Sequence, residues 1–282
     1  MSNKQLAVYH WFCQRLQRDE LLSGQPSADL DSLRAILRPC DILLVSGNSH
    51  VDRRFKTIGD SRFARALLYI GRLHDVIDPS LRALLADYTP CEPDTQLVID
   101  ARLERGLIVQ PLTALEGRQL RVCRAQSLSD AEAQDVLRFA ISRIGTGSSR
   151  SWPALAMLTL MPWTWLPLRW RSRLFRRWAG DLIRAMSGTL VAEAFGFVQF
   201  PILPLVKEEH ATARLLRLQP RAFTAADFDH SPYFDIIKAP FQLAEVPRGM
   251  DAVPWKGNQS ALAPERQRHL SLVDAAEEKH RQ

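Results

Sequence analysis

Cysteine and histidine, the side chains that most often carry chemistry, are scattered through this sequence. The four cysteines, Cys13, Cys40, Cys91 and Cys123, form no CxxC pair, and the seven histidines do not cluster. Zinc sites and disulfide frameworks need close, repeated spacings of these residues. The sequence therefore predicts no metal site and no cofactor, and it favours reduced thiols in a reducing compartment.

A second distinctive stretch combines tryptophan, proline and arginine. Residues 151–168 form an uncharged run of 18 residues, and residues 169–178 carry five arginines and no acid. The run reaches the lower length limit of a membrane-spanning helix. However, Pro153, Pro162 and Pro167 interrupt it, and each removes a backbone donor, which is costly in lipid. The sequence therefore argues against a span.

Tryptophan and arginine together favour the lipid–water interface, because indoles lie at the headgroup level and guanidinium groups attract anionic lipid. One hypothesis is a peripheral membrane or acyl-chain-binding insertion at residues 151–180. The candidates for contact with an anionic membrane surface are Trp163, Trp165, Trp170, Arg171, Arg173, Arg176, Arg177 and Trp178. The alternatives are a helical flap packed on the domain with a solvated arginine face, and a surface for a partner protein.

Composition places the chain among ordinary globular proteins. It has 282 residues, of which 46% are hydrophobic and 24% charged, with a formal net charge of +6. The basic excess is local, so nucleic-acid binding is not expected. The N-terminal residues lack the long apolar run and the small-residue cleavage site of a signal peptide, so the cytoplasm is expected.

The pattern of apolar residues predicts an α+β domain with a mostly antiparallel sheet packed with helices. Helices are predicted over residues 4–22, about 29–37, 78–87, 129–144 and 183–197, and residues 49–60 are a short polar helix or a loop. Strands are predicted over residues 41–45, 66–70, 96–100, 106–112 and 119–123. The expected organisation is an N-terminal helical region (1–36), one domain (37–240) and a polar, flexible tail (241–282).

Several of these segments resemble a known superfamily. Residues 37–45, LRPCDILLV, resemble the LRPGDVLLV opening of permuted NlpC-type papain-like proteins (the YiiX/YaeF-like group, often labelled lipo-like proteins). Residues 63–71, FARALLYIG, resemble that group's SHAALYIG strand. Further similar segments follow in the same order at residues 97–101, 106–112, 186–195, 200–204 and 227–234. The resemblance covers roughly residues 5–240 and implies a circularly permuted papain-like (NlpC-type) domain.

The resemblance also implies a cysteine at a helix N-terminus, a histidine on a facing strand and a polar residue that orients the histidine. In this sequence the histidine position falls on Arg65, the cysteine position on Ser187 and the orienting position on Asp100. Only Asp100 keeps a suitable type, and Cys40 stands where the group has a glycine before Asp41. The resemblance therefore implies a kept scaffold that has lost its catalytic cysteine and histidine.

Each of these residues has a structural and a chemical interpretation. A serine nucleophile at position 187 needs a base, and Arg65 cannot serve because a guanidinium group stays protonated. Ser187 is therefore expected as a helix N-cap or a polar pocket residue. Arg65 is expected either to pair with Asp100 or to bind an anionic group of a ligand.

Four other residues are candidates for replacing the lost catalytic groups or for lining the ligand site. His50 and His74 are the nearest histidines in sequence that could replace the lost base. Cys40 is either a relocated nucleophile or a small buried residue. Asp41 is either a strand-edge carboxylate satisfied by backbone donors or a member of the ligand site.

The expected function is that of a catalytically inactive permuted papain-like protein. It would bind an acyl, peptide or lipid-like ligand near Arg65, Asp100, Ser187 and Asp41, and under the membrane hypothesis it would lie at the inner face of a membrane. The alternative is an amide or ester hydrolase that uses Ser187 or a displaced nucleophile. A base within reach of Ser187 would distinguish the two.

Overall fold

A computed structural model of the chain describes residues 3–18, 30–89, 92–103, 105–146, 152–167, 170–171, 174, 187–203, 206–209, 212–215 and 223–238. All of them belong to the unit that spans Met1–Phe241. The tail that was predicted to be flexible, residues 241–282, lies outside the described residues, as does part of the 151–180 insertion.

An antiparallel sheet of six strands forms the centre of the described structure. The strands are β1 (Ile42–Ser46), β2 (Arg65–Gly71), β3 (Leu97–Arg102), β4 (Gly106–Pro111), β5 (Gln119–Ala125), β6 (Val206–Glu209), β7 (Thr212–Leu215) and β8 (Phe234–Lys238). Their order in the sheet is β4-β3-β2-β1-β5-β8, and β6 and β7 form a separate hairpin. The five predicted strands are thus confirmed as members of one sheet, and β8, which was not predicted, adds the sixth.

Eight α-helices lie within the described part of the chain. They are α1 (Asn3–Gln17), α2 (Leu30–Ile36), α3 (His50–Gly59), α4 (Pro79–Tyr88), α5 (Asp130–Ile141), α6 (Trp152–Leu160), α7 (Ser187–Phe197) and α8 (Ala225–Asp229). The segment at residues 49–60, for which the sequence allows a short helix or a loop, forms the helix α3. α6 agrees with the alternative of a helical flap, and Pro153 lies in its first turn, where the missing backbone N–H leaves no hydrogen bond unmade.

The two faces of the sheet are buried by different helices. Side chains alternate along each strand, so Ala66 and Leu68 point to one face and Leu67 to the other. The first face packs against α5 and α7 through residues such as Leu137 and Leu190. The second face packs against α2 through Leu33. The predicted packing of the 183–197 helix on the sheet is therefore confirmed from Ser187 onward.

A third apolar cluster joins α1, α3 and α6 beside the sheet. Its buried members are Tyr9, Cys13, Val51, Ile58, Leu103, Leu155, Leu158 and Trp163. Because α6 buries Leu155 and Leu158 fully, the described part of the 151–180 insertion packs on the domain. Within the described residues, no helix combines the length and the apolar character needed to cross a bilayer.

Candidate functional site

A pocket lies beside the first residue of β2, and residues of α1, α3, β2, β3, α7 and α8 line it. α3 contributes Phe55 to its wall, the start of β2 contributes Arg65, the end of β3 contributes Arg102, and α7 contributes Gly188. Small and apolar side chains, among them Ala64, make up most of the remaining lining. The polar chemistry of this pocket therefore comes from a few identifiable groups.

Arg65 forms the predicted ion pair with Asp100. Arg65 Nη1 lies 2.7 Å from Asp100 Oδ2, the Arg65 side chain is 9% exposed, and the Asp100 side chain is fully buried. Asp100 also accepts hydrogen bonds from the backbone N–H of Ala101 at 2.8 Å and from Gln110 Nε2 at 3.3 Å. These donors hold the carboxylate in place behind the pocket wall.

A second carboxylate, Asp52, approaches Arg65 from α3. Asp52 Oδ1 lies 3.2 Å from Arg65 Nε, and the Asp52 side chain is 5% exposed. Ser49 fixes its position, because the Ser49 backbone N–H donates to Asp52 Oδ2 at 3.4 Å and the Ser49 hydroxyl accepts from the Asp52 backbone N–H at 3.0 Å. This reciprocal pair is a capping box that starts α3. The guanidinium of Arg65 is thus shared by carboxylates from two different elements.

Arg102 is the more exposed cation of the pocket. Its Nε lies 3.6 Å from Asp100 Oδ2, and its side chain is 23% exposed. Arg65 and Arg102 together face the carboxylates of Asp52 and Asp100, so the formal charges of the four groups cancel. An incoming anion would meet Arg102 first, because Arg65 is buried between the two acids.

Ser187 begins α7, and the residue after it, Gly188, lines the pocket. The N-terminal end of α7 therefore lies at the pocket that Arg65 borders. The side chain of Ser187 is outside what the structure describes, so the predicted convergence of Arg65, Asp100 and Ser187 is tested here only for the first two residues.

Asp41 lies at the opposite end of β1 from Arg65. It directly precedes Ile42, whereas Arg65 pairs with Val45 at the other end of the strand. Arg124 donates hydrogen bonds of 2.8 Å and 2.7 Å to the Asp41 carboxylate, and these bonds to Asp41 raise the pKa of the Arg124 guanidinium. Asp41 therefore does not line the pocket beside Arg65, and the structure does not bring it together with Arg65 and Asp100. The expected backbone donor is present at Arg38 N, but the main partner is a side chain.

The described cysteines are buried, and burial raises the pKa of two of them. Cys13, Cys40 and Cys123 carry free thiols. Burial, with a smaller contribution from Asp41, raises the pKa of Cys40 to about 12, and the Cys40 thiol donates to the carbonyl of Ala133 at 3.1 Å. Burial, with a smaller contribution from Asp229, raises the pKa of Cys123 to about 12. These thiols are poor nucleophiles at neutral pH because the thiolate is the reactive form.

Neither His50 nor His74, the two candidates for a replacement base, lines the pocket. His50 is the exposed first residue of α3. His74 lies in a single helical turn, Leu73–Asp75, just beyond the far end of β2, and its Nε2 is 3.7 Å from Asp75 Oδ1. Among the described residues that line the pocket, none is a histidine or a cysteine.

The aromatic and basic residues of the insertion divide into different classes. Trp163 is fully buried and its Nε1–H donates to the carbonyl of Leu158 at 3.0 Å, so its placement at a membrane interface is wrong. Trp165 is 88% exposed and Trp170 is 62% exposed. The Arg171 guanidinium donates to the backbone carbonyls of Leu166, Thr57 and Thr164. The other candidates, Arg173, Arg176, Arg177 and Trp178, lie outside the described residues.

Sequence reasoning missed Asp52 and Arg102. The signal for Asp52 was present, since Ser49-x-x-Asp52 directly after a strand is a capping-box pattern, but that pattern reports a helix start rather than a partner for Arg65. In the described ranges, no group of three or more His, Cys, Asp or Glu side chains is placed to hold a metal ion.

No protein-family model matches the chain, and the comparison with curated proteins likewise finds no match.

Proposed function

We propose that this chain is a catalytically inactive permuted papain-like domain that binds a small acyl, peptide or lipid-like ligand in the pocket beside Arg65. The observation that carries the proposal is the state of Arg65, which is buried and ion-paired with Asp100 at 2.7 Å and Asp52 at 3.2 Å. The resemblance assigns the histidine base to this position. A guanidinium group cannot take a proton from a nucleophile, and its two carboxylate partners hold it in its charged form.

The described cysteines support the same proposal. The described cysteines are buried, and the pKa values of Cys40 and Cys123 are raised to about 12 by burial. The fourth, Cys91, lies outside the described residues. A papain-type reaction needs a thiolate beside a base, and the described lining of the pocket contains neither a cysteine nor a histidine.

The lining of the pocket supports binding of one end of an acyl-type ligand, because the cavity itself measures about 30 Å³ and the rest of such a ligand would extend outside it. Val51, Phe55 and Leu103 offer apolar contact, while Arg102 and Gln17 provide the polar groups outside the Asp52–Arg65–Asp100 network. Ligand pockets commonly combine apolar walls with a few oriented polar groups. A carboxylate or amide carbonyl would be held by Arg102, which is 23% exposed, and an acyl chain would lie against Phe55.

One observation favours the alternative of a hydrolase. Gly188 lines the pocket, so the start of α7 offers backbone N–H groups and the adjacent Ser187 at the position where the resemblance places the nucleophile. Helix N-termini stabilise negative charge. The alternative still needs a base, and the described residues of the lining supply none.

The binding proposal is tested with octanoate, dodecanoate and an N-acetylated dipeptide as probes in isothermal titration calorimetry. Arg102→Gln should weaken binding of a carboxylate about tenfold, the value of one charge-assisted contact. Arg38→Gln is the matched control, because Arg38 is exposed and lies by Asp41, away from the pocket. If no probe binds, or if the two variants bind equally, the proposed ligand class is wrong.

Inactivity is tested with generic thioester, ester and peptide substrates. Wild type and Ser187→Ala should both give background rates. Turnover by the wild type that Ser187→Ala abolishes would overturn the proposal and establish the hydrolase. The double change Arg65→His with Ser187→Cys asks whether the scaffold still holds the geometry of the resembling group, which restored thioesterase activity would establish.

A further inference from the structure

Three of the most exposed large apolar side chains of the described residues belong to the insertion that α6 begins. Leu160 is 80% exposed, Trp165 is 88% exposed and Trp170 is 62% exposed. These three residues are called the aromatic corner below. Exposed apolar residues are ordinary when they are scattered singly, but grouped ones mark interaction surfaces.

Hydrogen bonds hold the backbone around the three residues of the aromatic corner together at the C-terminal end of α6. Arg171 Nε donates to Leu166 O at 2.7 Å and Arg171 Nη2 donates to Thr164 O at 3.0 Å. The backbone of Trp165, which lies between these two acceptors, is therefore held close to Trp170, the chain neighbour of Arg171. The Trp163 indole N–H donates to Leu158 O at 3.0 Å, which ties the same turn to the last turns of α6 and hence to Leu160.

The same corner is fixed to the domain on its inner side. Leu155, Leu158 and Trp163 are fully buried in the cluster that includes Val51 and Ile58 of α3. Arg171 Nη1 reaches Thr57 O of α3 at 3.1 Å, and Arg54 Nη2 of the same helix donates to Thr159 O at 2.9 Å. Two tryptophans only two positions apart, Trp163 and Trp165, are thus oriented oppositely by a packed scaffold, so the exposure of Trp165 is a property of the fold.

The charge pattern of the sequence favours an anionic partner. Residues 151–180 contain no aspartate or glutamate, and residues 169–178 contain five arginines. Arg171 is engaged with backbone carbonyls, which assigns it to holding the corner together. A surface that offers tryptophan and leucine within a stretch free of negative charge is complementary to an anionic bilayer interface, which accepts indoles at headgroup depth and attracts cations.

We propose that the aromatic corner, Leu160, Trp165 and Trp170, docks the protein on the surface of an anionic lipid bilayer. The contact is peripheral, with the indoles at headgroup depth and the buried face of α6 remaining packed on α3. This docking is independent of the ligand proposed for the pocket, although α3 contributes to both sites.

The test uses the full chain and vesicles of phosphatidylglycerol and phosphatidylcholine, with pure phosphatidylcholine vesicles for comparison. The wild type should sediment with the anionic vesicles, bind the neutral ones at least tenfold more weakly, and lose binding in high salt because surface charge is screened. The double variant Trp165→Ser, Trp170→Ser should reduce binding to anionic vesicles at least tenfold, since both indoles lose their apolar contact.

The matched control is Ile77→Ser, because Ile77 is 70% exposed and lies outside the insertion. It should bind anionic vesicles as the wild type does. All variants should unfold at the same temperature as the wild type, which shows that the substitutions at these exposed positions leave the fold intact. Failure of the wild type to bind anionic vesicles, or equal binding by the double variant, would overturn the proposal, and the first result would point to a partner protein instead. Arg102→Gln should retain vesicle binding, which separates this test from that of the pocket.

Discussion

Arg65 of β2 donates a 2.7 Å hydrogen bond to Asp100 of β3, whose side chain has no exposure to solvent. Arg102, two residues after Asp100 in β3, adds a second cation 3.6 Å from the same carboxylate oxygen. A buried carboxylate with these partners has been removed from water, and its charge is offset only by the protein around it. Changing one member therefore leaves an uncompensated charge.

Asp100→Asn should lower the free energy of unfolding by about 3 kcal/mol, the usual cost of removing one partner of a buried ion pair. The reason is that Arg65 and Arg102 both lose their shared carboxylate and only Asp52 remains near Arg65. Urea unfolding followed by circular dichroism measures the change. The double variant Arg65→Met, Asp100→Asn should lose less than the sum of the two single changes, because neither Arg65 nor Asp100 is then left as a buried charge without the other. Strictly additive losses would show that the two residues do not stabilise each other.

Gly47→Ala should disturb the pocket through Asp52. A methyl group at position 47 would lie 2.0 Å from Asp52 Oδ2, so the carboxylate that accepts from Ser49 and approaches Arg65 must move. We expect a loss of about 2 kcal/mol or more in unfolding free energy, as for other changes that break a buried polar network. The comparison is Gly196→Ala in α7, where an added methyl group meets nothing within 4 Å. That change should stabilise the protein by about 0.5–1 kcal/mol. Equal effects at both glycines would contradict the packing described around Asp52.

Cys40→Gly should give a more stable protein than Cys40→Ala by about 1 kcal/mol. Cys40 has a φ of +72°, a left-handed conformation that disfavours any side chain with a Cβ atom. Both variants lose the thiol and its bond to Ala133, so their difference reports the backbone alone. Chemical denaturation of the two proteins side by side provides the measurement. A more stable alanine variant would mean that the backbone at this residue leaves the left-handed region in solution.

Alkaline pH should destabilise the fold through its buried thiols. Burial raises the pKa of Cys40 from 9.0 to about 12, so above pH 9 the unfolded thiol releases its proton while the folded thiol keeps it. The folded state then binds more protons, and unfolding free energy falls as pH rises from 9 to 12, by at most about 1.4 kcal/mol per pH unit for one group. Below pH 9 this group contributes no pH dependence.

Cys40→Ala should flatten this alkaline decline without abolishing it, since burial also raises the pKa values of Cys123 and Tyr69 to about 12. Unfolding curves recorded at pH 8, 9, 10 and 11 test the slope. Iodoacetamide at pH 8 should leave Cys40 unlabelled in the native protein and modify it after denaturation. Rapid native labelling of Cys40 would refute the protonated, buried thiol.

Most of the sheet was predictable because its strands correspond to short apolar runs that end at glycine or at polar residues. The run at residues 41–45 and the run at residues 66–70 became neighbours, β1 and β2, as such patterns favour. The strand β8 was missed because its pattern is weak. Ile236 is 52% exposed and Ile237 is 37% exposed, so this edge strand lacks the alternation of a half-buried one.

The candidate site was predictable only where register decides contact. Two strands that neighbour each other bring Arg65 and Asp100 together, and the sequence order of the strands is enough to expect it. The approach of Asp52 depends on where α3 returns after β1, which no spacing in the sequence specifies. Trp163 is buried and Trp165 is exposed because of the turn that contains them and because the Trp163 indole donates to a carbonyl of α6. Composition treats those two residues as equal.

The order of the strands in the sheet has a consequence for how the protein is made. β1 to β4 pair with their sequence neighbours, so this meander can form as soon as residue 111 has left the ribosome. β5 then pairs with the other side of β1, and its second edge stays unpaired until β8 is made. The hydrogen bond from Gln126 to Asp235 shows the separation, because these residues lie 109 positions apart in the chain. During synthesis of everything between them, the nascent sheet exposes an unpaired edge that other chains could join. Translation pauses or truncations before residue 234 should therefore cause aggregation. Truncation after residue 238 keeps β8, so all six strands of the sheet can still pair.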